Sequence, residues 1–118
     1  MTAPISPIRL PSYSHFKNGN GWIGSAGILR YQIEEPVKAE EEGAPNTVTC
    51  VLWYGPFSRP YAQEVGRETF PVTDDGLAAL ADYLTREAKN AADSPRYTPE
   101  ETAAFYWAKK AQESQPEG

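Results

Sequence analysis

His15 is the only histidine in the chain and Cys50 the only cysteine, so chemistry built on ring nitrogen or sulfur has two places to start. An imidazole with Ser12, Ser14 and Lys17 nearby in sequence is raw material for a nucleophile–base pair, provided the fold brings a carboxylate such as Asp74, Asp75 or Asp82 to it. The simpler reading is a structural histidine beside a turn. Cys50 lies in "VTCVLWY", where apolar neighbours predict a buried, inert thiol. A lone cysteine forms no intrachain disulfide and suits a reducing compartment. One His and one Cys leave a zinc site short of ligands, and the Glu40–Glu42 run lacks the Asp/Asn spacing of a calcium hand. No catalytic residue, no cofactor and no metal is therefore assigned.

The third candidate is "KNGNGWIGSAG". Gly19, Gly21 and Gly24 match G-x-G-x-x-G, a pattern that holds a dinucleotide only between a buried strand and a helix. The helix supplies the amides and dipole that meet the pyrophosphate. Here "PSYSHFKN" precedes the glycines and the alternating "ILRYQIEE" follows them, so a turn is expected instead. In that turn Asn and Gly accept positive φ at little cost. Gly24 and Gly27 would admit a close neighbour, with Trp22 filling the space.

Charge separates the chain into two parts. Residues 1–33 hold Arg9, Lys17 and Arg30 and no acid, whereas residues 34–118 hold all sixteen acids against eight bases, for a net charge of −5. Such a balance disfavours direct contact with DNA or RNA and favours a basic protein partner. No run reaches membrane-span length, and "MTAPISPIRLPSYS" lacks the apolar core of a signal peptide. A soluble, cytoplasmic protein is expected.

These residues need elements to place them. At 118 residues the chain is expected to be a single domain, 1–118. Residues 1–12 read as an extended, proline-rich lead-in and 114–118 as a frayed tail. Leu29, Tyr31 and Ile33 share one face of a strand. Val48, Cys50, Leu52 and Tyr54 oppose Thr47, Thr49, Val51 and Trp53 on a central one. A weaker strand, "YAQEVGRETFPV", sets Tyr61, Gln63, Val65, Arg67 and Thr69 on one side, with Gly66 marking a bulge. A short extra strand near Trp22–Ile23 would make four. Residues 35–46 read as an acidic, flexible loop.

Two helices follow. The first carries Leu77, Leu80, Ala81, Leu84 and Ala88 on one stripe, with Thr73 as N-cap and Asp74 and Asp75 in its first turn. The second opens on a capping box, Thr98 to Glu101, and carries Ala104, Trp107, Ala108 and Ala111 on a stripe. The fold class is α+β: a small antiparallel sheet of three or four strands with two C-terminal helices, at least one packed on the sheet.

Taken together, "YSHFKNGNGWIGSAG", "VLWYGPF" and "ETFPVTDDGLAAL" resemble short uncharacterised proteins carried by bacterial phages and integrative elements, over residues 12–85. Several small acidic proteins from that setting are anti-defence factors, anti-CRISPR proteins among them. The resemblance implies a non-enzymatic inhibitor, a DNA mimic that occludes a basic nucleic-acid-binding surface of a host complex such as a CRISPR effector. The partner-binding residues expected are Glu34, Glu35, Glu40, Glu41, Glu42, Glu64 and Glu68, joined by Phe57, Arg59 and Tyr61 of "WYGPFSRPY". Two alternatives stand beside it: a small hydrolase or transferase using His15, and an acidic structural or oligomerising subunit.

Overall fold

The computed structural model describes residues 10–55 and 62–114. It is α+β: a short helix α1 (Tyr13–Lys17), strands β1 (Trp22–Ala26), β2 (Leu29–Ile33), β3 (Thr47–Tyr54) and β4 (Glu64–Pro71), then helices α2 (Asp74–Asp93) and α3 (Pro99–Ser114). The four strands form one antiparallel sheet in the order of the chain. The extra strand expected near Trp22 is therefore present, as one edge of that sheet.

Register explains which side chains meet. Tyr31 opposes Leu52, and Ile33 opposes Cys50. The residues expected on one face of each strand thus line up across the sheet, and α2 lays Leu77, Leu80 and Leu84 onto them. Burying a leucine of this kind contributes about 2 kcal/mol. Thr73 caps α2 by accepting the Gly76 N–H at 2.9 Å. Val51 and Trp53, on the opposite face of β3, are buried as well, as a central strand requires.

Two local expectations change. The register between β3 and β4 slips between Leu52 and Trp53, whose partners are Gly66 and Glu64. Val65 is the extra residue and turns into the core, so it does not share a face with Arg67 and Thr69. Gly66 sits at this bulge and lies near Leu52 and the Tyr83 hydroxyl.

Helix α3 differs more. The expected capping box forms in both directions, Thr98 N–H to Glu101 Oε1 and Glu101 N–H to Thr98 Oγ1, each at 3.1 Å. Among the described residues Thr102 is its one buried side chain, and the stripe of Ala104, Trp107, Ala108 and Ala111 faces solvent. With Trp107 left 65% exposed, the three alanines alone offer too little apolar area to hold this face down.

Candidate functional site

The glycine-rich stretch resolves into three uses, none of them a phosphate cradle. Gly19 lies in the turn after α1, Gly21 leads into β1, and Gly24 lies inside β1. A strand follows the pattern where a dinucleotide site needs a helix. Gly24 is required because the Tyr31 ring lies against it and a Cβ there would collide with the phenol. The neighbour is Tyr31 and not Trp22, which corrects the sequence reading. Gly27, at φ 62°, opens the two-residue turn between β1 and β2 and takes the conformation glycine tolerates best.

His15 is occupied structurally. Its Nε2 lies 2.8 Å from the Gly21 carbonyl, so that nitrogen carries the proton and donates. The ring meets Trp22 edge-on, with centroids 5.7 Å apart. Asp74, Asp75 and Asp82 are not among its hydrogen-bond partners in the described residues. The histidine fastens α1 to the start of β1. Phe16, beside it, is fully buried, a core residue that sequence periodicity missed because a five-residue helix spans barely more than one turn.

Cys50 is fully buried. Burial pushes its thiol up to about 12, which keeps it protonated and unreactive at neutral pH. Tyr83 is pushed up to about 12 by burial first, then by the negative fields of Glu87, Cys50 and Glu68. Among the described residues no group of three His, Cys, Asp or Glu side chains is placed to hold a metal. No helix among them is long and apolar enough to cross a membrane.

The seven glutamates expected to meet a partner fall into three places. Glu35, Glu40, Glu41 and Glu42 are exposed on the connection between β2 and β3, with Glu34 half-buried at its root. Hydrogen bonds cross the base of that connection. Val37 and Thr47 exchange backbone hydrogen bonds of 2.8 and 3.0 Å, and Asn46 Oδ1 accepts the Ala39 N–H at 3.2 Å. A turn at the tip runs from the Ala44 N–H to the Glu41 carbonyl, 3.2 Å, through Gly43 at φ 84°. Glu40–Glu42 are thus displayed on a built turn.

Glu64 stands apart. It opposes Trp53 near the far end of β3, about 20 Å along the sheet by strand rise. Arg67 reaches its carboxylate at 2.8 Å. The guanidinium is held above its usual range by that hydrogen bond first, then by the charge of Glu64, with a smaller contribution from Glu34. Glu68 opposes Cys50, which puts it on the helix-bearing face near Tyr83. One continuous carboxylate surface running from the loop to both glutamates of β4 does not form. Phe57, Arg59 and Tyr61 lie outside the described residues.

One feature escaped the sequence reading. An apolar cleft of about 440 Å³ opens where the β1–β2 turn, the end of β3 and the α2–α3 junction meet, lined by Ile28, Tyr54, Ala91, Tyr97, Pro99 and Thr102. The Tyr54 hydroxyl there accepts the Arg96 N–H at 2.9 Å. In sequence these positions are scattered, and only Pro95 and Pro99 punctuate the junction.

The fold and its surface define an α+β domain that presents a structured acidic turn at one end of a four-stranded meander. No protein-family model, curated protein or solved structure matches the chain.

Proposed function

We propose that the chain is a non-enzymatic, acidic protein-binding inhibitor, of the anti-CRISPR type, whose turn at Glu40–Glu42 docks on the basic nucleic-acid-binding surface of a host complex. The observation that supports this reading is the built turn itself. Three consecutive exposed carboxylates, with Glu35 nearby, sit on backbone held by a bridge and a side-chain cap. Ordering that is already in place leaves less conformational entropy to lose on binding. Carboxylates steer the turn toward arginine and lysine side chains and fix register more than they add affinity. Glu64 and Glu68 drop out of the contact set, since one is held by Arg67 and the other lies on the opposite face.

The test is a plaque count. Bacteria with an active CRISPR system are challenged with a targeted phage, with and without the chain. Expression is expected to restore plaques. The Glu40→Lys, Glu41→Lys, Glu42→Lys triple variant is expected to abolish that restoration while unfolding at the same temperature, and His15→Ala is expected to retain it. Restoration that survives the triple reversal would remove the loop as the contact. Loss of restoration in a folded His15→Ala variant would favour chemistry at the imidazole.

A further inference from the structure

The β1 edge of the sheet is open among the described residues, and its backbone polarity follows from the hairpin. A two-residue turn closes on a hydrogen-bonded pair, here Ala26 with Leu29. Alternation then makes Gly24–Tyr31 and Trp22–Ile33 the remaining hydrogen-bonded pairs. Ile23 and Ser25 therefore turn their N–H and C=O groups away from β2. The carbonyl of Gly21 is taken by His15, which ends the open stretch on that side.

Natural sheets protect such edges with charge, proline or a bulge. Strand β1, "WIGSA", has none of these. Trp22, Ile23 and Ile28 are 40%, 65% and 47% exposed beside it. From Asn18 to Leu29 the chain carries no charged side chain at all. In a protein of net charge −5, two copies meeting through most other surfaces bring carboxylates together. This stretch is where they can approach without that repulsion.

We propose that β1 is a self-association edge: two copies of the chain pair their β1 strands antiparallel about a two-fold axis at Gly24, joining two sheets into one of eight strands. The register is self-consistent. Ile23 of one copy faces Ser25 of the other and the reverse, and each of these two pairs exchanges both its hydrogen bonds. Gly24 faces Gly24 at the narrow, non-hydrogen-bonded position, where two strands come closest. The interface is isologous, as a two-fold requires. A seam of five residues is short beside the roughly 20–30 residues a side of a standard interface, so the dimer is weak and depends on concentration. This inference stands independently of the acidic turn, although a dimer would carry two such turns.

Sedimentation velocity of the full chain from about 5 to about 500 µM tests it, on the wild type, Ile23→Lys and Ser25→Pro. A proline at Ser25 removes an outward donor and leaves the hydrogen bonds to β2 intact. The wild type is expected to shift toward twice the chain mass as concentration rises, and both variants to stay monomeric with unchanged circular dichroism. A wild type that remains a monomer over the whole range overturns the proposal. So does a dimer that persists in both variants while they remain folded. Should a variant lose its fold, isotope-filtered NMR on mixed-label wild type at the top concentration reads the Ile23–Ser25 contact between copies. Finding that contact supports the seam, and its absence overturns it.

Discussion

The two edges of the sheet are built by opposite rules. Strand β4 carries Glu64, Arg67 and Glu68, ends on Pro71 and holds a bulge at Val65. Charge, proline and bulge are the devices that stop one sheet from adding to another. Strand β1 is uncharged, regular and flanked by exposed Trp22 and Ile23. Among the described residues these devices stand on one side only. The contrast locates where contact with another copy is resisted and where it is permitted, and neither edge coincides with the acidic turn proposed to meet a basic partner.

The largest expected difference between the edges is at their glycines. A methyl group at Gly24 would overlap the buried Tyr31 ring, well inside ordinary contact distance, so that the ring or the strand must shift. Gly24→Ala is therefore expected to lower unfolding free energy by about 2–3 kcal/mol, measured by urea denaturation. At Gly66 the same methyl would sit 3.1 Å from the Tyr83 hydroxyl and 3.2 Å from Leu52 Cδ1. Contacts at that distance call for the neighbours to give by only a few tenths of an ångström, so Gly66→Ala is expected to cost less than about 1 kcal/mol. Equal costs would mean that the β1–β2 hairpin is not held as described.

Alkaline pH should act on the sheet interior, at Cys50 and Tyr83 and, since burial raises it as well, at Tyr31 on the β1 side. Cys50 titrates near 9.0 when unfolded and at about 12 when folded. Below pH 9.0 both states keep the proton. Above it the unfolded chain releases a proton that the folded chain retains, so stability falls as pH rises from 9.0 toward about 12. Tyr83, raised from 10.0 to about 12, adds to the upper part of that window with the same sign. Melting temperature followed across the window should decline, and Cys50→Ala should flatten its first part. A melting temperature independent of pH there would contradict the burial assigned to both groups.

The smallest effect is expected at the exposed ion pair. Glu64→Ala removes the partner of Arg67 on the solvent side of β4, where such pairs contribute little. No measurable change in melting temperature is expected at moderate salt, and a drop of several degrees would show that the pair braces the bulge.

How legible these features were in the sequence depended on periodicity and on local signals. Alternation placed Leu29, Tyr31 and Ile33 and the two faces of β3, because a central strand leaves few alternatives. Capping chemistry placed both helix starts at Thr73 and Thr98, since each needs only a side chain and an amide three residues on. The bulge was half legible: Gly66 marked it, but the residue that turned inward was Val65. The partner of Gly24 was not legible, because Trp22 and Tyr31 are both aromatic and near, and only the β1–β2 register selects Tyr31. Helix α1 was too short for any period to register. The acidic residues showed the limit most clearly. Their clustering in sequence survived folding at Glu40–Glu42, whereas Glu64 and Glu68, four residues apart, went to opposite faces because the bulge between them and β3 resets alternation.

Amide hydrogen exchange, followed residue by residue at low and at high protein concentration, compares the two edges in one experiment. The amides of Ile23 and Ser25 are expected to exchange fast in dilute solution and to become protected as concentration rises, while the outward amides of β4 keep the same rate throughout. Rates at Ile23 and Ser25 that never change, or protection that appears along β4 instead, would contradict the assignment of β1 as the edge where two copies join.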